Sequence, residues 1–193
     1  PFASPRIQGI QNPSATGPVG PMISSINGGA GCALTGSTYA SPGHCVGGGG
    51  SDTAYQPFDL VEDGFIDVQF NQAMNVSTLV LGASCNSGAV RVEAVDGSGN
   101  CTGVVAGTLT ADTRSMRFKP TQPWTVGGNY RLTLVPGANA TCAAGEICGH
   151  NGLPLNPDPL NGGEAADAGG ANMIMRFMGV AANDDVYLPL KME

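Results

Sequence analysis

The chain has 193 residues, 12% of them charged, with 30 Gly, 14 Pro and a net charge of −7. So few charges exclude long surface helices laced with Glu–Lys pairs, and so much Gly and Pro marks a backbone that turns often. An acidic chain without a Lys/Arg cluster offers no phosphate-neutralising surface for nucleic acid, and no apolar run approaches the roughly 18 to 20 residues that cross a bilayer.

Residues 1–54 hold Gly, Pro and Ser in quantity with no sustained period of 2 or 3.6, the pattern of an irregular N-terminal arm. The chain opens on Pro1 without an apolar leader, so it is expected to be processed after export or cut from something longer. RIQGI at 6–10 and PMISSI at 21–26 are the stretches expected to dock the arm on an open strand edge, of a neighbouring copy first and of its own body second.

From residue 55 short strand candidates recur. The run 66–70 sets Ile66, Val68 and Phe70 opposite Asp67 and Gln69. The polar run NQAMNVST at 71–78 reads as a bend with Met74 tucked beneath it, and a second strand is expected at 78–81. Further strands are expected at 89–95, with Arg91 and Glu93 outward, at 104–109, and at 115–119, with Met116 and Phe118 inward. The last two fall at 130–135 and 173–179, the latter presenting Met173, Met175 and Phe177 to the core. Seven short strands predict an all-β, two-sheet sandwich over 55–182, with 183–193 a tail or linker. The Gly/Pro-rich stretch 136–171 is a long connection of the kind that is functional or locally stapled.

Six cysteines fall as three local couples: Cys32 and Cys45, Cys85 and Cys101, Cys142 and Cys148. An even count in loop-rich sequence predicts three disulfides and an oxidising, secreted or cell-surface setting, with nearest-neighbour pairing the leading choice among fifteen. His44 and His150 lie beside cysteines, yet the spacings do not follow the paired two-to-four-residue habit of zinc ligands.

Three segments resemble, in order, the bacterial Ig-like domains of S-layer and other surface proteins: IDVQFNQAMNVSTL at 66–79, MRFKPTQPWTVGGNYRLTL at 116–134 and CGHNGLPLNPDP at 148–159. The match covers about residues 55–181; the cysteines and the enlarged loop before the last strand depart from that family's pattern. The resemblance implies an immunoglobulin-like sandwich that serves as a module of exported bacterial proteins without catalysis of its own.

Tyr130, following a Gly pair, is expected to tie its hydroxyl to upstream backbone as a corner tyrosine, with Trp124 as the cap of that corner. No G-x-S-x-G or H-E-x-x-H is present, and the expectation is no catalytic residue, no enzyme and no cofactor. A minor alternative gathers Asp59, Glu62 and Asp63 with Asp184 and Asp185 around calcium, although no EF-hand loop pattern is present. The function expected is a noncatalytic spacer or assembly subunit of a surface or filament protein, with neighbouring copies or adjacent domains as partners and no membrane insertion. The alternatives are a ligand-binding, adhesin-like module using the 136–171 loop, or an accessory domain of a secreted hydrolase.

Overall fold

Alternating side chains commit one face of a strand to a core and the other to the outside, so a chain of such strands must close two sheets on each other. The computed structural model describes residues 21, 23–26, 34–35, 44–45, 58–136, 141–155 and 172–182. In chain order the strands are β1 (Ile23–Ile26), β2 (Leu34–Thr35), β3 (His44–Cys45), β4 (Phe58–Val61), β5 (Ile66–Phe70), β6 (Val90–Val95), β7 (Cys101–Val104), β8 (Gly107–Ala111), β9 (Ser115–Pro120), β10 (Asn129–Leu134) and β11 (Met173–Val180). One sheet runs β1-β5-β9-β8 and the other β4-β11-β10-β6-β7, while β2 and β3 pair with each other alone. Every pairing is antiparallel except that of β4 with β11. From β4 onward the chain changes sheet after β4, β5, β7 and β9, which gives the immunoglobulin-like sandwich expected.

Between the sheets lie Val68, Phe70, Met116 and Phe118 from one side and Val90, Val92, Leu132, Leu134, Met173, Met175 and Phe177 from the other, all buried. Each such side chain contributes about 1.5 to 3 kcal/mol relative to leaving it in water. Trp124 and Tyr130 close one end. The Trp124 ring meets Tyr130 at 4.9 Å and Phe177 at 5.1 Å, both edge-on, and donates Nε1–H to the carbonyl of Gly64 at 2.8 Å. Tyr130 accepts the Thr125 N–H on its hydroxyl at 2.9 Å, a bond five residues back along the chain. Gly127, at φ +75°, allows the tight turn between them.

Several expectations are corrected. The segment 78–81 is no strand: Val76–Thr78 is a 3-10 turn capped by Asn75, and Leu81 makes only a single bridge to Val90. The expected strand 104–109 is two, broken at Val105 and Ala106 where the chain passes from one sheet to the other. Asp59 lies inside β4 rather than ahead of the first strand. The PMISSI segment does dock on a strand edge as expected, here on the second of the two expected targets, its own chain: β1 pairs with β5, Ile23 opposite Phe70 and Ile26 opposite Val68. A register shift between Ile23 and Ser25 lets two isoleucines three residues apart both face the core. RIQGI, Cys32, Asp184 and Asp185 lie outside the described residues.

Candidate functional site

Three connections, 71–89, 112–114 and 135–172, leave the sandwich at the same end. The polar run after β5 is held there from both sides. Phe70 N–H donates to Arg114 O at 2.8 Å, Met74 N–H to Thr113 O at 2.7 Å, and the Arg114 guanidinium to Asn71 O at 2.9 Å. From the other side, Asn75 N–H reaches Cys148 O at 2.9 Å, His150 N–H reaches Ala73 O at 2.8 Å, and Cys148 N–H donates to Thr78 Oγ1 at 3.0 Å. Met74 itself is buried and bridges Gly149. This polar run is a braced turn.

The long connection is anchored by its own apolar residues. Ile147 and Leu155 are fully buried, Ile147 N–H bonds to Val135 O, and Cys142–Cys148 closes the loop between them. Among the described residues, those this end exposes to solvent include Asn75, Val76, Ser77, Arg114, His150 and Asn151. Asp112 accepts the N–H groups of Arg114 and Ser115 at 2.7 and 2.8 Å, and these donors, Arg114 N–H first, hold its carboxyl below the usual aspartate value. The immunoglobulin architecture uses such a loop end for recognition in variable domains.

A second cluster lies on the outer face of the five-stranded sheet. Glu93 is 0% exposed, and Arg131, opposite it on β10, donates Nε–H at 3.1 Å and Nη2–H at 2.5 Å to Oε2. Asn86 N–H caps Oε1 at 2.6 Å, while Arg131 also donates to Gly99 O and Asn86 Oδ1. The Cys85–Cys101 bridge ties the two turns that cover this pair. Asp96 organises one of them, accepting from Ser98 and Asn100, and the Asn100 side-chain amide leads the bonds that hold its carboxyl below the usual range.

Sequence reasoning placed Glu93 outward, and outward it is; what it missed is that this face is covered. The available signal was a pair of cysteines bracketing β6, since a bridge between Cys85 and Cys101 must draw the flanking turns together over that strand.

Of the other candidate residues, Cys45 stands opposite Leu34 in the β2–β3 ladder, and Cys32, the residue expected to pair with it, lies outside the described residues. Asp59 and Asp63 are exposed and Glu62 half-buried, and they do not converge at ligand distance; among the described residues the one grouping of three donors is Cys85, Glu93 and Cys101, whose sulfurs bond each other. Among the described residues, no nucleophile is hydrogen-bonded to the His150 imidazole.

No family model matches the chain. Alkane uptake protein B of Marinobacter nauticus is 32% identical over 135 residues, covering 65% of this chain. The chain spans 12% of the length of that relative. Two disulfides fit an oxidising compartment, the envelope or beyond it, and no helix among the described residues is long and apolar enough to cross a membrane.

Proposed function

We propose that the chain is a noncatalytic, immunoglobulin-like structural module of an exported bacterial surface protein, acting as a spacer or assembly unit. The observation that carries this reading is where the chemistry-bearing side chains are directed. Trp124 Nε1, Tyr130 OH and the Glu93–Arg131 pair are each consumed by a bond that holds the sandwich together. The match to a stretch of a much longer uptake protein supports the idea of a module within a larger envelope assembly, and the S-layer-type motifs support the same setting. Neighbouring domains or copies are its partners, and uptake of alkanes would belong to the assembly rather than to this module.

A second reading, recognition by the loop end, is favoured by one feature. The three connections there are cross-braced by backbone hydrogen bonds, and the long one is closed on itself by a disulfide, so the backbone beneath the exposed groups of that end is held in place.

One replacement separates the two. Exchanging residues 21–182 in the encoded gene for an unrelated sandwich of equal end-to-end length should leave surface assembly and uptake intact if the module is a spacer. Intact assembly with lost uptake would overturn the spacer reading in favour of recognition.

A further inference from the structure

The outer face of the five-stranded sheet carries one row of charges across three neighbouring strands. Glu93 stands opposite Arg131, and Arg131 stands opposite Arg176. The row therefore holds two guanidiniums and one carboxylate. Arg131 shows what such a guanidinium does when satisfied, turning its Nε and Nη2 donors onto a single carboxylate oxygen and its remaining donors onto Gly99 O and Asn86 Oδ1.

Arg176 has the same fork with no such acceptor among the described residues. Its Nε is buried and has no hydrogen-bond partner among the described residues. The guanidinium is nonetheless held in place by packing: a Cβ on Gly99 would lie 1.8 Å from Nη2, so only glycine lets that turn lie against it, and Gly99 sits at φ +83° as well. Beside it opens a cleft of about 100 Å³ lined by Val95, Asp96, Gly97, Asn129, Tyr130 and Arg176 together with Phe177. That is room for several waters, or for a carboxylate with a short stem.

We propose that Arg176 and the 96–99 turn form a carboxylate-binding site, filled by a small carboxylic acid or by an acidic side chain of an adjoining protein segment. A planar, two-oxygen anion matches the guanidinium fork in a way a point charge does not. A singly charged ligand fits better than a dianion such as phosphate, because Asp96 lines the same cleft and contributes its own negative charge. Asp96 does not serve as the partner: its oxygens accept from Ser98, from Asn100 N–H and from the Asn100 amide, and it forms no ion pair with Arg176.

The test is a titration of the full chain followed by the Arg176 Nε–H resonance and the Gly97 and Gly99 amides, at constant ionic strength, with acetate, chloride and phosphate. Acetate should shift these signals saturably, chloride should not, and phosphate should act more weakly than acetate. Arg176→Gln should abolish the response at Gly97 and Gly99, and Arg176→Lys, which keeps the charge and loses the fork, should weaken it by about tenfold. An Ala/Glu peptide binding more than about tenfold tighter than acetate would identify a protein side chain as the ligand, whereas equal affinity would identify a free carboxylic acid. Acetate acting no more than chloride, or an undiminished response in Arg176→Gln, would overturn the site. The wild-type titration decides the matter even if a variant fails to fold.

Discussion

Each outer face of the sandwich carries a carboxylate and an arginine directly opposite each other on neighbouring strands. On the four-stranded sheet Asp67 of β5 meets Arg117 of β9 at 2.6 Å, with side-chain exposures of 23% and 52%. On the five-stranded sheet Glu93 of β6 meets Arg131 of β10 at 2.5 Å, with exposures of 0% and 15%. The register relation is the same and the surroundings are not. Arg117 lies over Phe65, 4.1 Å from the ring centroid, and stays open to solvent. Glu93 is roofed by two turns and a disulfide, and its second oxygen is occupied by a backbone N–H. Coulomb attraction at equal distance is many times larger where water is kept out, and so is the penalty for leaving one partner behind.

The largest effect should therefore follow from breaking the covered pair. Glu93→Ala strands the Arg131 guanidinium in a covered site and leaves the Asn86 N–H without its acceptor, at a cost of about 3 to 5 kcal/mol in urea unfolding. A loss below about 1 kcal/mol would mean that water already reaches this face, and the contrast between the two sheets would fail.

Removing the roof should come next. The bridge between Cys85 and Cys101 closes a span of 16 residues, and Cys85→Ser with Cys101→Ser should cost about 3 kcal/mol. It should also reduce what Glu93→Ala costs, because the turns that exclude water are no longer tied. Strict additivity of the two changes in a double-mutant cycle would show that the bridge and the pair act separately.

The contrast between the faces also marks how far the sequence could be read. β9 and β11 were legible because their alternation is long enough to show which side faces the core: Met116 and Phe118, then Met173, Met175 and Phe177. The polar run 71–78 was legible as a turn because its chemistry is local, Asn75 accepting from Ser77 two residues on. β1 and β4 were not. Each has four residues, β1 breaks the period of two with its register shift, and β4 is defined by a parallel pairing with a strand more than a hundred residues away. The covered face was hidden for a related reason. Alternation says which way Glu93 points, but whether anything lies there depends on turns brought over it by a distant covalent link. Arg176 went unread as a candidate because nothing in its neighbourhood in sequence distinguishes an arginine with an acceptor from one without.

On the open face the expected effect is small. Asp67→Ala should cost about 0.2 to 1 kcal/mol, and the difference from wild type should shrink between low and 1 M salt as screening shortens from about 10 Å toward 3 Å. The Glu93→Ala loss should be nearly unchanged by the same salt. Equal salt sensitivity of the two would show that both pairs are solvated.

Exposed carboxylates still leave a trace when the backbone bonds them, and acid unfolding is where that trace is read. Asp112 and Asp96 sit in open turns yet accept two or more donors each, with Arg114 N–H leading for one and the Asn100 amide for the other, so both have folded values below the ordinary one. The sign follows: a group whose folded pKa is lowered adds stability that is fully present above the unfolded value, near about 4, and disappears as pH falls through the lower folded value. In that window the unfolded chain binds more protons, so stability should decline on acidification. Asp112→Asn should lower the neutral-pH urea midpoint slightly and make the decline between about pH 5 and pH 2 shallower, and adding Asp96→Asn should flatten it further. An acid limb in the double variant that runs parallel to wild type would assign the acid sensitivity to other carboxylates. A flattened limb would show that an open aspartate can matter through hydrogen bonds where an open ion pair on the same sandwich does not.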